Sequence, residues 1–329
     1  DFTRNSSATR VNSQGLIEDV QILSSNLVTN GDFSQEGSEQ ITNGDFSQEG
    51  AEQITNGSFD TDTNWTKGTG WSISGGSANC DGTQSANAAL VQQNGIKGAI
   101  IDFVVGKTYK VNFDIVVTSG NITNIEVANG YDGSNITTSG NHTTYITAVS
   151  TNDRLTITGN PDFTGSIDNV SVKEVGQDWT LGTGVTIGEN KAIFTSTASG
   201  QSVSQNAVAS SLTNGALAKV SFEVLSRTQG SFGVYFSGTL VGTLASAGVF
   251  TGYFTKGTET SFYIRALGTT SGSISNISVI EITEDTNLPR INYEGFSYQN
   301  VLGSEEVVNG NFATDSAWSK GGNWSIGGG

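Results

Sequence analysis

Apolar and polar side chains alternate along several short stretches of the chain, and 108–116 is the clearest of them. Within it, Tyr109, Val111, Phe113 and Ile115 occupy every second position. Successive side chains of a β-strand point to opposite faces of the sheet, so this pattern predicts a strand with one buried face. Further strands are predicted at 143–149, 154–158 and 166–175, with turns rich in Asn and Gly between them.

Two long regions of the chain carry matching strand patterns in the same order. The segment 110–115 (KVNFDI) matches 219–224 (KVSFEV), and 165–172 (GSIDNVSV) matches 272–279 (GSISNISV) at nearly the same offset. A duplication of one module explains both matches. Because helical periodicity is missing, the predicted fold class is all-β, with tandem antiparallel β-sandwich modules. These predicted modules cover 54–176 and 177–283.

A recurring six-residue motif, which we call the NGxF motif, opens the first module. At 54–59 its sequence is ITNGSF, and the stretch from there to residue 78 is predicted to form a strand, a turn and a strand. Large apolar side chains follow this motif at Trp65 and Trp71, and Trp179 has a similar setting in the second module. We predict that all three tryptophans lie in the core.

A 13-residue repeat fills 28–53. Its copies, 28–40 (VTNGDFSQEGSEQ) and 41–53 (ITNGDFSQEGAEQ), each begin with an NGxF motif, and the NGxF motif at 54–59 starts a third copy. A unit of this size is about one strand and a turn, which is too short for a domain. The first two copies have two interpretations. In one, they form a loosely structured linker. In the other, they pair as strands with a neighbouring sheet or chain.

The ends of the chain lie outside the predicted modules. They comprise an N-terminal segment, 1–27, a connector, 284–305, and the start of a third module, 306–329. Since the chain begins without Met and stops inside a recurring pattern, we expect it to be a piece of a longer protein. The unfinished module cannot bury Phe312, Trp318 and Trp324 by itself. Strand pairing across subunits would bury them, which predicts a homo-oligomer or a fibre. Alternatively, the rest of the longer protein completes the module.

The composition narrows the classes of partner and of site. A formal net charge of −16 disfavours nucleic acid, whose phosphates require a basic surface. The single cysteine, Cys80, excludes an internal disulfide and is predicted to be a buried thiol. With His142 as the one histidine, a Cys/His zinc cluster is excluded as well. No apolar run in the sequence approaches the length of a membrane span.

The sequence contains no motif of a known catalytic machinery. A G-x-S-x-G nucleophile elbow, a P-loop and a Rossmann fingerprint are all missing, so the protein is predicted not to be an enzyme. A carboxylate pair of the glycosidase kind stays open. The most prominent acidic residues lie in the 13-residue repeats rather than in a module, at Glu36, Glu39, Glu49 and Glu52.

The pattern NGSF…NW…GTGW, together with the closing strand GSIDNVSV, resembles the galactose-binding-like jelly rolls. These include the carbohydrate-binding modules of families four, nine and twenty-two. The resemblance covers both modules and the start of the third. It implies a jelly-roll fold and a glycan as the possible partner, although this scaffold hosts many functions.

The flanks carry a second resemblance. The segments 2–17 (FTRNSSATRVNSQGLI) and 288–293 (LPRINY) are similar to a segment common in bacteriophage tail-fibre and other appendage proteins. There the two halves usually lie close together in sequence, whereas here the modules separate them as if inserted into a loop. The resemblance implies a virion-surface fibre outside the cell, with a trimer as one form of assembly. The alternative is the accessory binding region of a secreted or cell-surface carbohydrate-active enzyme or adhesin.

The jelly-roll resemblance implies a structural calcium ion in the first module. Related folds hold it where the first strand, a Gly-rich turn and an acidic residue of the last strand meet. The matching positions here are Gly57, Ser58, Gly76 and Asp168. Calcium accepts backbone carbonyl oxygens among its ligands, so glycines are compatible with such a site. Alternatively, Asp168 faces solvent or caps a turn. In the second module Ser275 replaces the aspartate, so calcium is not expected there.

Sugar sites combine exposed aromatic rings with amides and carboxylates that bond hydroxyl groups. Tyr131 lies in a Gly-rich loop with Asn129, Asp132 and Asn135, and these four residues are the predicted carbohydrate site. Tyr235 and Tyr253 are weaker candidates in the second module. For each ring, packing in the core or on the surface is the alternative.

Overall fold

The computed structural model describes 36–133, 135–282, 314, 316 and 318–326, and the backbone of 9–11, 17–19, 28–29 and 290–291. The described residues form strands and turns and contain no helix. The strands are β1 (Thr9–Val11), β2 (Ile17–Asp19), β3 (Val28–Thr29), β4 (Glu49–Glu52), β5 (Thr66–Lys67), β6 (Trp71–Ser74), β7 (Ser77–Asp81), β8 (Ala88–Gln93), β9 (Thr108–Ser119), β10 (Ile122–Val127), β11 (Gly130–Asp132), β12 (Gly140–Thr147), β13 (Arg154–Gly159), β14 (Thr164–Val175), β15 (Thr180–Leu181), β16 (Val185–Gly188), β17 (Lys191–Thr197), β18 (Ser202–Gln205), β19 (Leu217–Phe236), β20 (Thr239–Leu244), β21 (Gly248–Thr255), β22 (Phe262–Glu281) and β23 (Arg290–Ile291).

Two compact units make up the chain. The first combines both ends, Asp1–Gln35 with Asp285–Gly329, and the second is Glu36–Glu284. The second unit contains two β-sandwiches, which we call module 1 and module 2.

Module 1 packs a five-stranded sheet, in the order β11-β10-β13-β8-β5, against a sheet in the order β12-β9-β14-β7-β6 that also carries β4 on β14. All pairings are antiparallel. The predicted strand at 108–116 is confirmed as β9, and Tyr109, Val111, Phe113 and Ile115 are all buried. Cys80 is buried in the same core, and loss of hydration there raises the pKa of its thiol.

Module 2 repeats this architecture with longer, uninterrupted strands. The 20-residue strands β19 and β22 pass through both sheets, where module 1 uses β9 with β10 and β13 with β14. The registers agree, since Asp168 pairs with Asp114 in module 1 and Ser275 pairs with Glu223 in module 2. The fold-class prediction of tandem antiparallel jelly-roll sandwiches is therefore confirmed.

The second copy of the 13-residue repeat belongs to module 2. Ile41 and Phe46 from its NGxF motif are buried in the core of that module, and the Phe46 ring lies 5.1 Å from the Trp179 ring. The indole N–H of Trp179 donates to the carbonyl oxygen of Asn43 at 2.9 Å. The described stretch 36–53 is thus packed structure, and within it β4 pairs with β14. Most of the first copy, 28–40, lies outside the described residues.

The third copy makes the same contacts with module 1. Ile54 and Phe59 are buried there, the Phe59 ring lies 5.0 Å from Trp65, and Trp65 donates its indole N–H to Asn56 O at 2.9 Å. The structural modules are therefore 49–175 for module 1, and 36–48 with 176–282 for module 2. Module 1 is inserted into module 2 directly after the NGxF motif of module 2.

The NGxF motifs at 41–46 and 54–59 are not strands, contrary to the prediction for the start of 54–78. In each module a buried glutamine takes the place of a strand partner. Gln92 accepts from Thr55 N at 2.9 Å and donates to Thr55 O at 2.7 Å. Gln205 does the same for Thr42 at 3.0 and 2.9 Å. Side-chain amides thus satisfy backbone groups that would otherwise be buried without partners.

The unit formed by the chain ends contains two short antiparallel pairs. β1 pairs with β2, and β3 pairs with β23, so that Thr29 lies opposite Arg290 and Val28 opposite Ile291. Trp318 and Trp324 are 41% and 79% exposed, whereas their counterparts Trp65 and Trp71 are buried in module 1. Phe312 lies outside the described residues.

In the described part of the chain, no helix has the length and apolar character that crossing a membrane requires.

Candidate functional site

The five-stranded sheet of module 1 turns one face to the core and the other outward. Ile125, Leu155 and Ile157 are buried on the inner side. On the outward side, one residue from each of the five strands lies opposite the next in the strand register, so that together they form a row. From β11 to β5 this row is Tyr131, Glu126, Thr156, Val91 and Thr66. We call this side the outer face of module 1.

The outer face of module 1 combines an open ring with charged and polar groups. Tyr131 is 73% exposed at the edge of the sheet. On the neighbouring strands, Arg154 Nη2 donates to Glu126 Oε1 at 2.6 Å. Arg154 Nε and Thr156 Oγ1 are buried and have no hydrogen-bond partner within the described structure. The face therefore places an open aromatic ring near a charged pair and near two buried polar atoms that lack a partner within the described structure.

The four residues of the predicted carbohydrate site do not converge. Tyr131 and Asp132 are successive residues of β11, so their side chains lie on opposite sides of the sheet. Asp132 accepts from Thr144 Oγ1 at 2.6 Å and lines a cavity of about 250 Å³ together with Asn135. Asn129 occupies the turn before β11 with φ +61°, and its amide oxygen accepts from Asn152. Only Tyr131 reaches the outer face.

His142 borders the cavity that holds Asp132 and Asn135. Its Nε2 lies 2.9 Å from Thr138 O, and its ring stacks on Phe113 with 6.1 Å between the ring centroids. Among the described residues, no group of three or more His, Cys, Asp or Glu side chains is placed to share a metal ion. His142 therefore contacts a backbone carbonyl and an aromatic ring beside this cavity.

Module 2 has an equivalent outer face. Its row runs Leu240, Tyr235, Tyr263, Ser204 and Thr180 from one edge to the other. Tyr235 and Tyr263 occupy the places that Glu126 and Thr156 hold in module 1. Tyr253, the other tyrosine candidate, is 59% exposed on β21, which corresponds to β12 in the other sheet of the sandwich.

The predicted calcium positions lie at one end of module 1. The NGxF motif approaches β14 closely there, since Val170 N donates to Gly57 O at 2.9 Å. Gly76 is in the turn between β6 and β7, and Ile167 pairs with Ala78, which brings the next residue, Asp168, alongside that turn. Asp168 Oδ1 accepts from the backbone of Asn169 at 2.7 Å.

Module 2 shows directly that the equivalent positions meet. Ser275, which replaces Asp168, is buried and donates its hydroxyl to Asn190 O at 2.8 Å, with Asp45 O at 3.4 Å. Asn190 occupies the turn equivalent to that of Gly76, and Asp45 is the NGxF-motif residue equivalent to Ser58. In module 2, the Ser275 hydroxyl therefore binds two carbonyl oxygens that are equivalent to those of Ser58 and Gly76, which were predicted as calcium ligands in module 1.

Sequence reasoning missed Glu126, Arg154, Tyr263 and Arg265 as candidate site residues. A signal was present, because each lies next to buried apolar residues in an alternating strand pattern. Alternation identifies such residues as facing outward, but it cannot show that strands distant in sequence place them in one row.

Comparisons with known proteins add little to these observations. No protein-family model matches the chain, and no curated protein matches it. Among solved structures, the CBM22-1–CBM22-2 tandem domain of Paenibacillus barcinonensis Xyn10C is similar at 11% identity, covering 75% of this chain and 99% of its own, with a TM-score of 0.29. The tandem CBM51 modules of a family 98 glycoside hydrolase from Streptococcus pneumoniae match at 7% identity, covering 71% and 97%, with a TM-score of 0.22.

A viral structure is similar as well. The atomic structure of Sulfolobus Turreted Icosahedral Virus matches at 12% identity, covering 68% of this chain and 60% of the viral chain, with a TM-score of 0.20. TM-scores this low carry no argument, so the all-β tandem-sandwich fold rests on the strand order and register described above.

Proposed function

We propose that the chain is a non-enzymatic structural and adhesive protein of a virion, as part of a tail fibre or another surface appendage. In this proposal, the outer face of module 1 binds glycans of the host surface. The observation that carries it is the exposed ring of Tyr131 beside the paired side chains of Glu126 and Arg154.

The chemistry of this face suits a sugar. A pyranose ring has an apolar side that packs on an aromatic face, while its hydroxyl groups both donate and accept hydrogen bonds. Tyr131 supplies the ring, and Glu126 supplies carboxylate oxygens. Arg154 Nε and Thr156 Oγ1 are the polar atoms without a partner in the described structure. Because buried polar groups are costly to leave unpaired, sugar hydroxyls that reach them would gain affinity.

The virion setting is supported by the flanks. In phage appendage proteins the two halves of the segment lie close together in sequence. Here β23, in the second half, pairs with β3, which follows the first half, across the whole inserted region. Both chain ends also form one compact unit. An insertion of the sandwich modules into a loop of a fibre segment accounts for both observations. In this proposal the chain lies outside the cell on the virion surface, and the accessory region of a secreted enzyme or adhesin is the second candidate.

Calcium binding by module 1 is part of the proposal. In module 2, the carbonyl oxygens equivalent to those of Ser58 and Gly76 both lie within hydrogen-bond distance of the Ser275 hydroxyl, which replaces Asp168. In module 1 the aspartate would add a charged oxygen to the same backbone carbonyls, which is the kind of ligand set that calcium prefers. The ion would join the NGxF motif to the last strand, so its effect would be on stability.

Assembly through the third module is proposed as well. The exposure of Trp318 and Trp324 contrasts with the burial of Trp65 and Trp71. Strands of another copy that complete this module would cover the two rings and give a homo-oligomer or a fibre.

A glycan array tests the central function, with the full chain and the Tyr131→Ala variant applied in parallel. We expect binding to a small set of related glycans by the wild type and a loss of that binding by the variant. No selective binding by the wild type would contradict the proposal. Immunogold labelling of particles with an antibody to the chain separates the virion setting from the enzyme or adhesin alternative.

A further inference from the structure

We propose that the outer face of module 2 is a second glycan site and that it takes acidic sugars, which carry a carboxylate or a sulfate group. The inference rests on the proposed function, since it assigns a ligand class to the equivalent face of the second module. The residues that carry it are Tyr235, Tyr263 and Arg265.

The two tyrosines form a rigid platform. Tyr235 on β19 lies opposite Tyr263 on β22, and their rings stack with 4.9 Å between the centroids and 15° between the planes. Both rings are half-buried, on the side of the sheet away from the buried Phe262 and Ile264. A pair of stacked rings has little freedom to rearrange, so it is organised before any ligand binds.

Arg265 is held against this platform. Its guanidinium carbon lies 4.6 Å from the centre of the Tyr235 ring and 5.0 Å from that of Tyr263. A cation over an aromatic face is attracted by the ring, and a planar guanidinium also stacks on it. These contacts fix the orientation of the group, but they satisfy none of its N–H donors.

The donors of Arg265 are largely unused. A guanidinium has five N–H donors, and the hydrogen bond found for this one joins Nη2 to the Tyr263 hydroxyl at 3.4 Å. Nε is buried and has no partner in the described structure. Such an arrangement suits an anionic group, which accepts two parallel bonds from the fork of an arginine.

No carboxylate of the described protein neutralises Arg265. Directly opposite it on the two adjacent strands are Gly233 and Ser202. None of the ion pairs among the described residues includes it.

Module 1 provides the internal comparison. There Arg154 is paired with Glu126 at 2.6 Å, so the charges on the outer face of that module cancel. In module 2, Tyr235 occupies the place of Glu126, and Arg265 lies two residues after Tyr263, whereas Arg154 lies two residues before the equivalent Thr156. The two faces therefore differ in charge while sharing one position in the fold. We assign neutral sugars to the face with the paired charges and acidic sugars to the face with the unpaired arginine.

The test compares two negatively charged trisaccharides with an uncharged ester. Trigalacturonate, its methyl ester and a 6-sulfated galactose trisaccharide are titrated into the full chain by calorimetry at physiological ionic strength. We expect at least one of the two charged trisaccharides to bind about tenfold more tightly than the methyl ester, as loss of a charged hydrogen bond implies. The pair of charged ligands shows whether the carboxylate or the sulfate is preferred.

Two matched variants locate the effect. Arg265→Gln is expected to abolish the preference for the charged ligand, whereas Arg227→Gln, at an exposed arginine of module 2 that donates to Gly230 O, leaves it unchanged. Arg265→Lys retains the charge without the fork and is expected to bind with intermediate affinity, and its melting temperature shows whether module 2 is still folded.

Equal affinity for the acid and its ester, no binding of either charged trisaccharide, or an unchanged preference in a folded Arg265 variant would each overturn the inference. Failure of the proposed function is distinguishable, because it would appear as a lack of Tyr131-dependent binding on the glycan array.

Discussion

The indole N–H of Trp179 donates to the carbonyl oxygen of Asn43 at 2.9 Å, across 136 positions of sequence. Trp65 makes the same bond to Asn56 at 2.9 Å, across nine positions. The equivalent hydrogen bond thus joins residues of one local turn in module 1, but residues far apart in sequence in module 2. All of module 1 lies in the sequence between Asn43 and Trp179, so the two sandwiches are nested rather than consecutive.

The ends of the inserted module lie side by side, which explains why the insertion is tolerated. Glu49, at its start, lies opposite Val175, at its end, in the pairing of β4 with β14. A domain whose ends are adjacent replaces a loop of its host without separating the strands on either side. Module 2 can therefore keep its NGxF motif although the rest of its chain follows much later.

The first prediction concerns the close approach of each NGxF motif to its module. A Cβ atom on Gly44 would lie 2.0 Å from Ile277 O, and one on Gly57 would lie 1.9 Å from Val170 O. We expect Gly44→Ala and Gly57→Ala each to lower the free energy of unfolding of one module by about 1–3 kcal/mol, because the motif must move away. Scanning calorimetry of the full chain measures the effect.

A matched control is available for these variants. A Cβ on Gly133 would meet nothing within 4 Å, so Gly133→Ala should unfold like the wild type. If Gly44→Ala also unfolded like the wild type, the NGxF motif at 41–46 would not be part of module 2.

The second prediction concerns pH. A hydrogen bond from Lys110, and then one from Lys173, hold the pKa of Glu49 below its ordinary value of 4.5. A lowered pKa in the folded state means that the stabilisation is present above 4.5 and is lost as the pH falls through the folded-state value. Glu49 is partly exposed, so screening by solvent keeps the effect below about 1 kcal/mol.

Urea unfolding at a series of pH values from neutral to acid measures the contribution of Glu49 to the free energy of unfolding. Glu49→Gln should be less stable than the wild type at neutral pH and equally stable in acid, and Lys110→Met should behave in the same way. A loss that is the same at every pH would show that this carboxylate does not stabilise the fold through its charge.

The local pattern of the sequence predicted the strands and the core well. Alternation located β9 together with its buried face, and the setting of Trp65, Trp71 and Trp179 marked them as core residues, which they are. Both features depend on neighbours within a few residues. The nesting could not be predicted in this way, because the NGxF motifs are almost identical in sequence and only long-range packing decides which module each one completes.

The candidate site was predicted only in part for a related reason. Proximity in sequence grouped Tyr131 with Asp132, but adjacent residues of a strand face opposite sides. The actual neighbours of Tyr131 come from β10 and β13, which the sheet places beside it. Charge and aromatic content alone did not single out Arg265, whose importance lies in its contacts with two rings from different strands.

The third prediction concerns calcium. Saturating calcium should raise the melting temperature of module 1, with a gain of about 2.7 kcal/mol at 100 times the Kd, because the ion binds only the folded state. Asp168→Asn should remove the gain, and Ser275→Ala in module 2 should leave it in place. Scanning calorimetry with calcium or with a chelator decides the matter, and identical melting in both would rule out Asp168 as a ligand.

The fourth prediction concerns assembly. Trp318 and Trp324 are exposed in the single chain, so we expect partner strands to cover them in an oligomer. The double variant Trp318→Ser and Trp324→Ser should sediment as a smaller species than the wild type in equilibrium ultracentrifugation. An oligomer of unchanged size and thermal stability would show that these rings take no part in assembly.

The fifth prediction concerns the outer face of module 1 itself. Tyr131→Ala should weaken binding of the glycan selected on the array about tenfold, since the sugar loses its stacking surface. Tyr253→Ala is the matched control, because Tyr253 is a similarly exposed tyrosine that lies in the other sheet of module 2.

The most direct measurement is therefore the Kd of that glycan for the full chain and for these two variants, by calorimetry. We predict an affinity about tenfold weaker for Tyr131→Ala and an unchanged affinity for Tyr253→Ala. Wild-type affinity in Tyr131→Ala would contradict glycan binding by the outer face of module 1.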